Sequence, residues 1–217
     1  MGNQKAKKEI CRRDTQPDFV ASENDGGKVI AGHAAVFNQQ ADICGLFGEE
    51  IENGAFDGCD LTDVPLLANH DMRKTPLARS RRNNGNSTMT LSIDDVGLAI
   101  NATLDTENNP ESRAVYSAIS RGDLSGMSFA FTVRDEEWTG LDSKYPIRRI
   151  KKIEKVYEVS AVTFPAYEQT DIYARAKSAL ESAREAVETA KEQAADAARN
   201  GLDIIRMRNI IHSKGED

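Results

Sequence analysis

Residues 122–133 read "GDLSGMSFAFTV", and the fold turns on how the second half of this stretch is taken. Met127, Phe129, Phe131 and Val133 occupy alternate positions. An extended strand puts all four on one face and Ser128, Ala130 and Thr132 on the other. The large side chains mark the core face. The small ones then line a face that a substrate can approach, and a serine stands among them. A second strand of the same kind, "KVYEVSAVTF", spans 155–164 and is stopped by Pro165.

Working outward, short extended runs recur. "KVIAGHAAVF" (28–37) reads as a strand, "GEEIENGAF" (48–56) as a strand end leading into a turn, and "DVPLLANHD" (63–71) as an apolar run that stops at His70. "STMTLSIDDVGLAINATL" (87–104) alternates polar and apolar, with Met89, Leu91 and Ile93 on one face. The break at Asp94-Asp95 and Gly97 makes it a hairpin. "PESRAVYSAISRG" (110–122) has Pro110 in its first turn and Gly122 past its end, which predicts a short helix. Many short strands with one or two helices give an α+β, β-rich domain, a barrel or sandwich.

Composition divides the chain. Residues 1–24 are polar and charged, an expected N-terminal tail, and 25–170 hold the strand-like runs. From 171 to 217 the chain turns rich in Ala, Glu and Lys, an expected helical C-terminal extension. There Tyr173, Ala176, Leu180, Ala183, Val187, Ala190, Ala194 and Ala197 repeat at spacings of three and four. A seam of alanines buries little area, so it suits a conditional coiled coil or a docked terminal helix. "LDIIRMRNIIH" after Gly201 is a second, more apolar helical piece.

Other classes recede on bulk properties. The net charge of -7 argues against a nucleic-acid-binding surface. No apolar run reaches the roughly 18 residues of a membrane span. The basic start "MGNQKAKKEICRR" lacks the apolar core of a secretory signal, although "MGNQKA" matches the short, common myristoylation pattern. Cys11, Cys44 and Cys59 are odd in number and form no CxxC pair. Neither a zinc site nor a disulfide framework is expected, and no cofactor is called for.

Ser128 is a weak nucleophile until a base takes its proton. Three histidines exist: His33, His70 and His212. His212 lies six residues from the end, and His33 falls within a predicted strand. His70 ends a strand at a loop, where catalytic side chains are commonly carried. A third group must orient the imidazole, and Glu158, set among valines, needs a cationic or donor partner. Each residue also has a plain reading: a strand serine, a surface His-Asp pair, an edge-strand charge. Ser125, in the preceding turn, competes as nucleophile. A metal-dependent hydrolase using His70, Asp71 and Glu158 lacks the HxH or HExxH spacing.

Six segments in order are more specific than any of these residues: "GHAAVFN", "EEIENGAF", "LLANHD", "DDVGLAINATL", "GDLSGMSFAF" and "YEVSAVTFPAY". Over about residues 28–168 the chain resembles the prohead proteases of tailed bacteriophages, capsid-maturation serine proteases related to herpesvirus assemblin. The resemblance implies an assemblin-like β-barrel surrounded by helices. It puts the family histidine at His70 of "NHD" and the nucleophile at Ser128 of "MSF". The third member falls at Glu158 of "EVS". The herpesvirus enzymes use a second histidine there, and this chain has no candidate for one. Ala130 replaces a usual glycine, and "LAR" at 77–79 matches the usual leucine-glycine-arginine only loosely. The implied activity is cleavage of scaffold or the N-terminal arm of the major capsid protein, and of the protease itself, inside the assembling prohead in the host bacterial cytoplasm. The tail then suits contact with scaffold or self-association. Oxyanion donors fall to the loop "LSGMS" or to Arg148 and Arg149. The alternative is a catalytically inactive structural protein of the prohead that keeps the fold.

Overall fold

A computed structural model of the chain describes residues 11–15, 19–24, 26–163 and 176–193. Among these residues, eleven strands and one helix lie in the first compact unit, 1–176. The strands are β1 (Cys11–Thr15), β2 (Val20–Asn24), β3 (Gly27–Val36), β4 (Ala41–Ile43), β5 (Phe47–Ile51) and β6 (Val64–Ala68). They continue with β7 (Ala78–Ser80), β8 (Met89–Ile93), β9 (Gly97–Leu104), β10 (Gly126–Thr139) and β11 (Ile147–Val162). Helix α1 (Pro110–Arg121) precedes β10.

The backbone of this unit is the long antiparallel hairpin β10–β11. One edge of β11 pairs with β10. The other is shared by two parallel strands, β5 against Ile147–Ile150 and β6 against Val159–Ala161. With β4, β7 and β1 these form a seven-stranded sheet, and β2-β3-β9-β8 form a second, four-stranded one. The β-rich α+β expectation holds, but neither sheet closes into a barrel among the described residues.

The predicted core face is observed: Met127, Phe129 and Phe131 are buried, with the two phenylalanine rings stacked at 4.4 Å. They pack with Ile30, Leu98 and Ile100 of the second sheet and Val115 and Ile119 of α1 in one apolar cluster. Burying each such side chain contributes about 1.5–3 kcal/mol. Helix α1 starts where Asn109 Oδ1 accepts from the N–H groups of Glu111 and Ser112. It ends where left-handed Gly122 (φ 76°) donates to Ala118 and Ile119. Gly97 opens β9 where β3 bulges. A Cβ there would stand 1.9 Å from the Ala35 carbonyl oxygen, so only glycine fits.

Some elements differ from expectation. β10 runs six residues past Val133 and β11 begins eight before Lys155. β1 and β2 lie inside residues 1–24, which composition assigns to a tail. Their pairing is a matter of backbone hydrogen bonds, which composition does not report. Ile93 is exposed rather than sharing the buried face of Met89 and Leu91. The second unit begins at Lys177. A helix over 176–193, here α2, buries the seam residues Ala176 and Leu180 and carries Val187 and Ala190 exposed to solvent. Pro165, His212, the MGNQKA start and the "LDIIRMRNIIH" piece lie outside the described residues.

Candidate active site

The site grows out of the β10–β11–β6 junction. In the antiparallel ladder Ser128 stands directly opposite Ser160, and Ala130 opposite Glu158. Directly opposed residues point to the same face, so Ser128, Ser160 and Glu158 share the face opposite the phenylalanine core. β6 runs alongside β11 and delivers the chain to Asn69 and His70.

Both of these residues are left-handed, Asn69 at φ 50° and His70 at φ 60°. The Asp71 N–H closes the turn onto the Ala68 carbonyl at 3.1 Å. Two consecutive positive φ angles reverse the chain tightly, as in a primed turn. A non-glycine residue held there costs about 1–3 kcal/mol and persists only when its surroundings enforce it. Here they do. The Asn69 N–H donates to the Ala161 carbonyl at 2.9 Å, and its Oδ1 accepts from the Thr163 N–H at 3.0 Å. The His70 N–H donates to Ser160 Oγ at 3.2 Å.

The turn folds the imidazole back over the sheet face. His70 Nδ1 lies 2.6 Å from Glu158 Oε1, and the Ser160 hydroxyl donates to Glu158 Oε2 at 2.5 Å. The Glu158 side chain is 1% exposed and that of His70 12%. A carboxylate this buried needs two or more partners, and it has one on each oxygen. With Nδ1 committed to the carboxylate, Nε2 is the imidazole nitrogen left for proton transfer.

Ser128 is buried at 0% exposure, and its Oγ has no hydrogen-bond partner among the described residues. This corrects the open face that the alternation implied. Ala130 and Thr132 are buried with it, because β1 and β11 flank the strand and the His70 turn lies over this face. The structure therefore joins His70 to Glu158 and sets Ser128 on their face without a hydrogen bond to either. Ser125 is exposed in the loop before β10.

The other candidates have separate partners. His33 Nε2 sits 3.0 Å from Asp94 Oδ2 on the β8–β9 turn. That contact, with the N–H groups of Gly97 and Val96, pushes the Asp94 carboxyl down to about 2. The Asp71 carboxylate accepts from the Arg73 backbone and guanidinium rather than turning to His70. Burial pushes the Cys59 thiol up to about 11, far from a reactive thiolate. Arg148 and Arg149 pair in register with Trp138 and Glu137. That is about ten residues, roughly 30 Å of strand, beyond Ser128. They are no source of oxyanion stabilisation. Ser160 is the residue that the sequence reading missed. Its signal was present in "EVS", since positions 158 and 160 share a strand face, but a serine there has no distinguishing neighbour.

Comparison with known proteins gives the family of the chain. The family model of the caudovirus prohead serine protease matches residues 16–185. The chain belongs to the caudovirus prohead serine protease family. It is 25% identical over 209 residues to the prohead protease of Enterobacteria phage HK97, covering 94% of this chain and 84% of that protein. No solved structure matches it. The family match begins within the stretch that composition assigned to a tail and ends within α2.

Proposed function

We propose that this family member is a serine endopeptidase of prohead maturation, with Ser128 as nucleophile, His70 as general base and Glu158 orienting the imidazole. The observation that carries the reading is the buried His70–Glu158 contact on the same sheet face as an uncommitted serine hydroxyl. His70 Nε2 takes the Ser128 proton as Oγ attacks a peptide carbonyl. The imidazolium that forms is stabilised by Glu158 and then protonates the leaving amine. Water, deprotonated by the same nitrogen, releases the acyl group. Backbone N–H groups at the start of β10, within Ser125–Ser128, receive the oxyanion, since that of Leu124 is already given to the Ala118 carbonyl.

The substrates are the scaffold or the N-terminal arm of the capsid protein, and the chain itself. Residues 25–170 are the protease domain, and 171–217 an arm for scaffold contact or self-association. Ala176 and Leu180 of the seam are buried, and the exposure of Val187 and Ala190 beyond them supports a seam whose later part awaits a partner. Removal of residues 175–217 is expected to leave peptide cleavage intact and to abolish incorporation into proheads. To the same reading belongs the assemblin-like fold. What supports it is a β-rich domain whose two sheets share one apolar core.

One observation favours a second reading, an inactive structural protein: Ser128 is fully enclosed. Intact mass of the wild type and of Ser128→Ala, followed over hours with and without the cognate capsid protein, separates the two. Fragments made only by the wild type establish the protease. Unchanged masses in an assembled prohead establish the structural reading. Because the Ser128 hydroxyl is an unpaired buried group, Ser128→Ala is expected to leave the melting temperature unchanged or raised.

A further inference from the structure

Among the described residues, strand β1 pairs with one element only, the outer edge of β10. Its register is Cys11↔Phe131, Arg12↔Ala130, Arg13↔Phe129, Asp14↔Ser128 and Thr15↔Met127. β10 extends to Thr139, yet β1 covers only Met127–Phe131, the part that holds Ser128. Without β1 this edge carries a row of free backbone N–H and C=O groups, which is a template for an added strand. Recognition of an extended peptide by strand addition uses just such an edge.

We propose that the outer edge of β10 at Met127–Phe131 is the surface that binds extended peptide substrate, and that residues 11–15 fill it in cis as a substrate mimic. The inference rests on Ser128 being the nucleophile. A peptide on this edge has one residue directly opposite Ser128, the place that Asp14 now takes. That brings its backbone within a strand spacing, about 4.8 Å, of the serine. Among the described residues only β1 occupies this edge in the ladder, and an incoming strand exchanges one set of backbone hydrogen bonds for another.

The energetics suit exchange. Five paired residues, whose backbone hydrogen bonds are each of small net value against water, make a weak strand. Residues 16–19 tether it directly to β2, so its effective concentration is of the order of millimolar. Dilute peptides lose to such an occupant. A substrate array at high local concentration displaces it. Occupancy in cis lowers the competent fraction and raises the apparent KM by the inverse of that fraction, leaving kcat unchanged. The same contact contributes, with β11 and the His70 turn, to the enclosure of Ser128 in a chain whose family is proteolytic. It also presents the protease's own N-terminal segment beside its nucleophile.

The test uses the full chain with Arg12→Pro and Arg13→Pro together. Adjacent strand positions donate to opposite edges, so one of these prolines removes a donor into the β10 ladder. Amide hydrogen exchange is measured first, with Ser128→Ala as an inert background. The proline pair is expected to speed exchange of alternate amides within 127–131. A synthetic peptide of residues 9–17 is expected to restore their protection. Unchanged exchange overturns the proposal, because β1 then does not hold the edge.

Cleavage of a quenched peptide copying the N-terminal arm of the cognate capsid protein is measured next, with Ser128 intact. The proline pair is expected to lower apparent KM about tenfold at constant kcat, as for an edge filled in nine molecules of ten. Faster exchange with unchanged KM overturns the proposal while leaving the protease reading intact. If no version cleaves any peptide, the protease reading fails alone. Protection of the 127–131 amides by the capsid-arm peptide still supports the edge as a peptide-binding surface, and its absence overturns that too.

Discussion

The two ends of the β10–β11 hairpin carry buried polar clusters of opposite character. At the far end Arg148 is 6% exposed and donates to Glu136 through Nε and Nη2 and to Glu49 through Nη1. Its guanidinium lies 5.7 Å from the Trp138 ring, which packs edge-on against Phe47. Opposite charges there sit in register, and the cluster fastens β5 to the hairpin. At the near end His70, Glu158 and Ser160 bond one another, while the Ser128 hydroxyl on the same face has no partner among the described residues. The backbone also differs. Strained left-handed residues are spent on aiming His70, and none flanks Arg148. Both clusters leave one buried oxygen without a hydrogen-bond partner among the described residues, Glu49 Oε1 at the far end and Ser128 Oγ at the near end. The difference is that the far-end carboxylate still has Arg148 as its counter-ion, whereas the near end keeps a hydroxyl donor uncommitted beside an over-determined side chain.

If that contrast is right, substitutions at the two ends should part company. Glu158→Gln is expected to reduce kcat by about 10³- to 10⁴-fold, because an amide no longer fixes the imidazole tautomer or stabilises its charge. Single-turnover cleavage of a capsid-arm peptide measures this. A loss below tenfold would remove Glu158 from the proposed triad. Arg148→Met is expected to cost about 3–5 kcal/mol of stability, since it strands the buried Glu49 carboxylate. Urea unfolding reads that cost, and adding Glu49→Gln should recover part of it. The kcat of the folded fraction should stay at the wild-type value. A matching fall in kcat would erase the distinction between the ends.

The near end was more legible than the far end, for a physical reason. Alternation of Met127, Phe129 and Phe131 against small residues exposes a strand to pattern reading, because one face is apolar and buried. "NHD" and "EVS" place a histidine and a carboxylate at element ends and on strand faces. Beyond Val133 the pattern stops. "RDEEWT" is largely exposed and is held by cross-strand ion pairs such as Lys151–Glu137. Charge pairs across strands leave no hydrophobic period, so the outer half of the hairpin could not be read. β1 and β2 escaped for a related reason: their partners are backbone groups, and polar composition hides a strand whose pairing is all main chain. What no pattern conveys is the direction of His70. That depends on two φ angles and on acceptors at Ala161 and Ser160, more than 80 residues away.

Ser160 supplies the finest test, because it touches both halves of the proposed dyad and no substrate atom. Its hydroxyl donates to Glu158 Oε2 and accepts the His70 N–H, so one atom fixes the carboxylate and the strained turn together. Ser160→Ala leaves the His70 Nδ1 contact in place but frees the carboxylate to rotate and leaves a backbone N–H unpaired. The expected result is a fall in kcat of about tenfold, near 1.4 kcal/mol in the barrier, with KM unchanged, as for a residue that acts through another. Ser160→Thr, which keeps the hydroxyl, should restore most of it. A purely structural Ser160 would instead lower stability with kcat intact for the folded fraction. Placing the same Ser→Ala change at Ser112, a buried hydroxyl in α1 without a partner among the described residues, provides the control. It should move neither kcat nor KM, so a loss seen only at 160 belongs to the orientation of His70 and not to the removal of a buried oxygen.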